Sequence, residues 1–186
     1  MKENNSRLLG REKLSMEALG RMSKEEFKDA QKIPVLIVLD NVRSMHNVGS
    51  VFRTADAFLM EGIWLCGFTP RPPHRDIHKT ALGATETVTW HYRENALELV
   101  KQLKLSGYKI LSVEQVTNSI PLSQFTWNGT DKLVLVFGNE VDGVQQSIID
   151  ASDACLEIMQ LGTKHSLNIS VSAGIVLYKL AEVFMK

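Results

Sequence analysis

Short runs of consecutive apolar residues alternate along most of this chain with segments whose apolar residues recur every three or four positions. A short continuous apolar run is typical of a strand buried on both faces, and the wider recurrence is typical of a helix with one buried face. Strands are predicted at residues 35–39, 62–66, 88–92, 109–113, 132–137 and 155–159. Helices are predicted at residues 48–58, 77–84, 94–105, 144–151 and 166–185.

This alternation predicts an α/β fold with a mostly parallel sheet and helices on both of its faces. Residues 1–32 are polar and helix-prone, with only scattered apolar positions, and are predicted to form a helical N-terminal extension of one or two short helices. Residues 33–186 are predicted to form the main domain.

Composition restricts the class of protein further. Of the 186 residues, 44% are hydrophobic and 23% are charged, which is ordinary for a globular domain. We expect no membrane span, because no run of 18 apolar residues occurs, and no secretion, because the N-terminus lacks an apolar leader core. The distant Cys66 and Cys155 are expected to be buried free thiols in a reducing cytoplasm, and no cysteine or histidine spacing indicates a metal site.

The formal net charge is zero, so any contact with nucleic acid must come from a local patch. Residues 71–79 carry the cations Arg71, Arg75 and Lys79 and two histidines beside one acidic residue. A solvated loop and a phosphate-binding segment both fit this pattern when it is taken alone.

The loop and helix start at residues 40–54 hold the first group of candidate functional residues. Asn47 stands where the cap of the following helix is expected, and Arg53 lies off the apolar face of that helix. About 9 Å of helix rise separates the two residues, so the guanidinium could return toward the helix start, where backbone N–H groups favour an anion. A surface ion pair between Arg53 and Asp56 is the alternative.

Residues 137–144 form a second unusual connection, with two glycines directly after a buried strand. Glycine permits close backbone approach or positive φ, but the spacing matches neither a dinucleotide-binding nor a P-loop fingerprint. Taken alone, this loop is a common strand-to-helix turn.

Residues 158–174 form the third connection, in which Ser166 is predicted to cap the last helix. Small residues at 170, 173 and 174 would let this helix approach another backbone closely. Asn168 is a polar residue in the first turn of a mostly apolar helix, which packing alone does not explain.

Together, the three connections resemble the motifs of the SpoU (TrmH-type) branch of the SPOUT RNA methyltransferases. Residues 47–56 resemble the first motif of that family, residues 136–143 the second and residues 166–174 the third. The resemblance covers residues 34–184, with the motifs in the family's order.

The resemblance implies a deep trefoil knot at the C-terminal end of the sheet, a homodimer, and S-adenosyl-L-methionine as cofactor. Backbone groups of three residues are implied to hold the adenosine: Gly138, Ile158 and Leu167. Five residues are implied to line the catalytic side: Asn47, Arg53, Glu140, Ser166 and Asn168. Met159 stands where the family usually has proline, which puts the rigidity of that loop in question.

The implied reaction is methyl transfer to a ribose 2′-hydroxyl of RNA, without metal or membrane. Because arginine rarely loses its proton, we expect Arg53 to bind the adjacent phosphate and stabilise the developing alkoxide while a phosphate or water accepts the proton. The basic segment 71–79 then becomes a candidate RNA contact. No separate RNA-binding domain is recognisable, and transfer RNA is expected in preference to ribosomal RNA.

Other functions remain as alternatives. They are a catalytically inactive RNA-binding protein of the same fold, a methyltransferase acting on a base or a protein, and a nucleotide-binding oxidoreductase or NTPase. The last lacks any phosphate-binding fingerprint in the sequence.

Overall fold

The computed structural model describes residues 13–15 and 17–185, and its contacts separate a unit ending at Ala30 from one covering Gln31–Lys186. The first unit contains helix α1 (Lys24–Asp29). Ser23 and Glu26 form a reciprocal capping box at the start of α1, in which each side chain accepts a hydrogen bond from the other residue's backbone N–H. The part of the predicted N-terminal extension before residue 13 lies outside the described residues.

The second unit alternates strands and helices, as the apolar pattern predicts. Its strands are β1 (Ile33–Asp40), β2 (Met60–Cys66), β3 (Trp90–Arg93), β4 (Lys109–Val113), β5 (Ile120–Pro121), β6 (Leu133–Phe137) and β7 (Ala154–Glu157). Its helices are α2 (Met45–Ala57), α3 (Arg75–Ala81), α4 (Ala84–Thr87), α5 (Ala96–Leu105), α6 (Gln146–Ala151) and α7 (Ile169–Ala181), and a 3₁₀ turn (Glu182–Phe184) follows α7.

The seven strands form one sheet in the order β3-β2-β1-β6-β4-β7-β5, and each neighbouring pair is parallel. The predicted parallel α/β sheet is therefore confirmed. The two-residue strand β5 was not predicted, because two residues are too few to produce a periodic pattern. The trefoil knot depends on how the backbone threads between strands, and it stays a prediction.

Helices cover both faces of the sheet. Leu36 and Val38 of β1 face a cluster that includes Val100 of α5 and Ile148 of α6. Side chains alternate along a strand, so Ile37 and its neighbours point to the opposite face, where α2, α3, α4 and α7 pack together. No helix in the described part of the chain combines the length and apolarity needed to cross a membrane.

Two predicted helix starts were wrong. Helix α2 begins at Met45, and Ser44 caps it by accepting the backbone N–H of Asn47 at 3.3 Å. Helix α7 begins at Ile169, and Asn168 rather than Ser166 caps it by accepting the N–H of Ser170 at 2.9 Å. Asn47 is available for other contacts because Ser44 takes the capping role.

Candidate active site

A cavity of about 480 Å³ opens at the edge of the sheet where the central strands end. Its walls include the last residues of β4 and β6, Val113 and Phe137, together with Leu156 of β7. In parallel α/β sheets, ligands bind at this edge because the connections that follow the strands converge there. The size falls within the range of roughly 300–1,000 Å³ that is usual for small-molecule sites.

The loop after β6 is tightly folded against itself. Asn139 and Gly143 exchange two backbone hydrogen bonds of 3.1 and 3.2 Å, and Gly143 has φ of +68°. A Cβ atom at Gly138 would collide with the backbone of Gly143 and Val144, so this loop conformation requires glycine at position 138. The carboxylate of Glu114 accepts the Val144 N–H at 3.0 Å and holds the loop from the side of β4.

The third connection forms the remaining wall. Gln115, just after β4, donates a hydrogen bond from Nε2 to the backbone oxygen of His165 at 2.7 Å. This bond joins the connection that follows β4 to the one that precedes α7. Met159, which occupies the place of the family's proline, is largely exposed at the start of this segment.

Six of the eight predicted cofactor-binding and catalytic residues line the cavity. They are Gly138, Glu140, Ile158, Ser166, Leu167 and Asn168. Asn47 is not part of the lining but contacts two of the six. Arg53 neither lines the cavity nor contacts a lining residue through a hydrogen bond in the part of the chain that the structure describes.

A hydrogen-bonded network joins the three motifs. The Asn47 amide donates from Nδ2 to Glu140 Oε1 at 3.0 Å, and its Oδ1 accepts from Asn168 Nδ2 at 3.1 Å. Asn47 is buried, so its amide is shielded from competing water. A single side chain of α2 therefore fixes the loop after β6 relative to the start of α7.

Glu140 also binds the backbone at the start of α2. Its two carboxylate oxygens accept the N–H groups of Arg43 at 3.0 Å and Ser44 at 3.1 Å. A negative charge at this position interacts favourably with the helix dipole. Partial burial acts to raise the pKa of Glu140, but the hydrogen bonds from Arg43, Asn47 and Ser44 outweigh it and hold the pKa below its ordinary value.

Arg53 lies on the exposed side of α2, two turns after the helix start. The alternative of a surface ion pair with Asp56 is not what the structure shows: within residues 13–15 and 17–185, no ion pair joins the two side chains. Asp56 instead accepts a hydrogen bond from the Thr87 hydroxyl. The guanidinium is thus not engaged with its nearest acidic neighbour on the helix.

The basic segment 71–79 comprises a short loop and, from Arg75 on, the first residues of α3, which crosses α2 closely. A Cβ atom at Gly49 would collide with Thr80 Oγ1 and the backbone oxygen of Ile77, so glycine permits the crossing. The Thr80 hydroxyl donates to the His46 backbone oxygen at 3.1 Å. These contacts place the basic segment beside the helix that carries Arg53.

Some contributors to the site were missed by reasoning from the sequence. The backbone N–H groups of Arg43 and Ser44 carry no side-chain signature, so only the fold reveals their role. Glu114 was detectable in principle, because an acidic residue directly after a buried strand stands at the carboxyl edge of the sheet.

The strands are parallel, helices cover both faces, and a ligand-sized cavity is built from the connections after β4, β6 and β7. These features define an α/β protein with a small-molecule site at the carboxyl edge. Residues 34–178 match the model of the SpoU rRNA Methylase family. The chain belongs to this family.

Three similar proteins illustrate the relationship. The 23S rRNA (guanosine-2′-O-)-methyltransferase RlmB of Neisseria meningitidis is 32% identical over 144 residues, which cover 77% of this chain and 56% of the relative. The chain thus spans little more than half the length of that relative.

Two crystal structures share the fold. The TrmH/SpoU tRNA modifying enzyme of A. aeolicus has a TM-score of 0.76 at 25% identity, covering 87% of this chain and 80% of that one. The AdoMet-bound rRNA methyltransferase of Sinorhizobium meliloti has a TM-score of 0.75 at 25% identity, covering 84% and 59%.

We expect Glu140→Gln to lower the free energy of unfolding at pH 7, because one oxygen that accepts backbone N–H groups becomes a donor. Since the folded-state pKa is depressed, the stabilisation by Glu140 is fully present above its ordinary pKa of 4.5 and is lost as pH falls through the lower folded value. Urea unfolding at pH 7, 5 and 3 should show the difference from wild type shrinking at pH 3. Glu94→Gln, at an exposed carboxylate, is the control, and a Glu140→Gln difference that does not change with pH would contradict the expectation.

Proposed function

We propose that the protein transfers a methyl group from S-adenosyl-L-methionine to a ribose 2′-hydroxyl of RNA. The observation that carries the proposal is the network in which Asn47, Glu140 and Asn168 join three motifs beside a ligand-sized cavity. Family membership supports the same chemistry, since the named N. meningitidis relative is a guanosine-2′-O-methyltransferase.

The cavity residues fit S-adenosyl-L-methionine. The exposed apolar side chains of Val141 and Leu167 offer a surface for an adenine ring at the cavity. Gly138, Ile158 and Leu167 all line the cavity, and we propose that their backbone groups hold the adenosine. The related S. meliloti structure was determined with AdoMet bound. When bound, this cofactor supplies a methyl group already activated by a sulfonium.

The chain's own residues would position the acceptor. The ribose oxygen attacks in line, so that the new O–C bond forms while the C–S bond breaks and its electron pair remains on sulfur. Arg53 would bind the adjacent phosphate and stabilise the developing alkoxide, and a phosphate or water would take the hydroxyl proton. Glu140, Asn168 and Ser166 would shape the surrounding loops, with Asn47 as a positioning residue.

We propose a homodimer as the active form. Arg53 lies outside the cavity of its own chain, so the site is incomplete within one protomer. Helix α7 presents Val171, Ile175 and Tyr178 along one stripe, each 39–51% exposed. A Cβ atom at Gly174, between them, would meet nothing within 4 Å, which leaves room for a second backbone.

For the RNA, we propose that Arg71, Arg75 and Lys79 contact phosphates, because their segment adjoins α2. Transfer RNA remains the preferred substrate from the sequence, while the N. meningitidis relative is named for 23S rRNA. A reducing cytoplasm suits this role and the buried free thiols of Cys66 and Cys155.

The central test is an assay with tritiated S-adenosyl-L-methionine and separate transfer and ribosomal RNA fractions lacking modifications. Alkaline hydrolysis should leave the label in resistant dinucleotides, because a 2′-O-methyl group blocks cleavage of the adjacent bond. Label in mononucleotides would indicate base methylation. Binding of RNA without any transfer would favour the catalytically inactive alternative.

Replacing Arg53 should abolish most activity whether or not charge is kept. Removing such a donor commonly costs about 2.7–4 kcal/mol of barrier, or roughly 10²–10³ in turnover. Arg53→Lys should therefore resemble Arg53→Ala, because lysine lacks the planar fork that binds two oxygens. Turnover at saturating cofactor compares the two variants with wild type. Calorimetry checks that their affinity for the cofactor is unchanged. Near-normal turnover of the lysine variant would refute a bidentate role.

The dimer is tested by mass in solution. Light scattering coupled to size exclusion should give twice 20.8 kDa for wild type and 20.8 kDa for the double variant Ile175→Glu, Tyr178→Glu. Leu105→Glu, an exposed leucine at the end of α5, is the control and should stay dimeric. If the wild type has the mass of a monomer in solution, the proposed dimer interface is wrong.

The basic segment is tested through the salt dependence of RNA binding. Changing Arg71, Arg75 and Lys79 to glutamine should weaken RNA binding. The slope of log affinity against log salt concentration should become shallower by up to about two units. The control removes the same charge at Lys101, Lys109 and Lys132, exposed cations on α5 and at the amino ends of β4 and β6. Equal slopes for the two triple variants would show that residues 71–79 are a solvated surface segment and not an RNA contact.

A further inference from the structure

Two exposed aromatic rings near the cavity edge of the sheet each have an arginine beside them. Phe68 is 59% exposed, and the Arg43 guanidinium lies 5.9 Å from its ring centroid. Tyr92 is 37% exposed, and the Arg71 guanidinium lies 4.2 Å from its ring centroid. We call these four residues the aromatic edge.

The aromatic edge lies at the carboxyl ends of three adjacent strands. Arg43 comes three residues after β1, and Phe68 comes two residues after β2. Tyr92 belongs to β3, where it pairs in register with Leu65 of β2. Both rings therefore belong to the carboxyl edge of the sheet, the edge on which the cavity also opens.

The turn that presents Phe68 is firmly held. The Phe68 N–H donates to Asn41 Oδ1 at 3.2 Å, and the Gly67 N–H donates to the Arg93 backbone oxygen at 3.1 Å. Thr69 is buried, and its hydroxyl donates to the Leu39 backbone oxygen at 3.0 Å. A well-anchored backbone thus exposes a large apolar ring that fills no part of the core.

The aromatic edge is also tied to the proposed active site. The backbone N–H of Arg43 donates to Glu140 Oε2 at 3.0 Å, so its position is coupled to the network of Asn47 and Asn168. A nucleotide lying on Phe68 would be on the same edge of the sheet as one held at the cavity.

We propose that the aromatic edge binds unpaired nucleotides of the RNA that flank the methylated residue, by stacking bases on Phe68 and Tyr92. Every base has a π-face that can stack on an aromatic ring or a guanidinium plane, and duplex bases are unavailable because they stack on each other. Arg43 and Arg71 can at the same time neutralise the phosphates between such bases. The inference rests on the proposed function and adds that the substrate is single-stranded around its target.

The test measures binding of the full chain to a fluorescently labelled single-stranded 12-nucleotide RNA and to a 12-base-pair RNA duplex. Phe68→Ala and Tyr92→Ala should each weaken binding to the single strand by roughly 5- to 150-fold, the range for loss of one base–aromatic stack. Binding to the duplex should change less than about twofold. Phe68→Trp should retain single-strand binding, whereas Phe68→Leu, apolar but without a π-face, should not.

Leu105→Ala is the matched control, since it removes an exposed apolar side chain at the end of α5, just before the amino end of β4. Equal losses on single strand and duplex, full binding by Phe68→Leu, or unchanged binding by both alanine variants would each overturn the inference.

The methyl-transfer assay is run on the same variants. If wild type transfers methyl groups and the alanine variants match it at subsaturating RNA, only the inference fails. Absence of transfer by wild type would count against the proposed function instead.

Discussion

One carboxylate holds the candidate site together. Glu140 accepts two backbone N–H groups at the start of α2 and the amide of Asn47, which in turn accepts from Asn168. A carboxylate that accepts several N–H donors is stabilised in its charged form, and the positive end of a helix dipole adds to this. The loops following β1 and β6 and the start of α7 therefore keep a common geometry, and the cavity has a defined wall before any ligand enters.

Two glycines allow backbone segments at and near the site to pack closely against each other. Gly138 allows the loop after β6 to fold back on Gly143, and Gly49 allows α3 to lie directly on α2. Close backbone packing of this kind leaves little freedom in the connections, which is the condition for positioning reacting groups. The proposed chemistry needs such positioning more than it needs a strong acid or base, since the donor methyl group is already activated.

Much of the fold was predictable because its signals are local. Continuous apolar runs predicted the parallel strands, and recurrence every three or four residues predicted the helices of both layers. Helix starts were less predictable: Asn47 and Ser166 are good capping residues, yet Ser44 and Asn168 take the two caps. The position of the preceding loop determines which residue can cap a helix. Here contacts with distant parts of the chain fix the positions of these loops.

The sequence by itself determined the fold class, because the periodicity of burial is carried by neighbouring residues. Its resemblance to the three family motifs implied six of the residues that line the cavity. Only the tertiary structure decided that Asn47 joins residues 93 and 121 positions away, that Arg53 lies outside its own chain's cavity, and that Phe68 and Tyr92 share an edge. Those relations depend on how strands are ordered in the sheet. Strand order is set by the packing of whole layers, which no local pattern encodes.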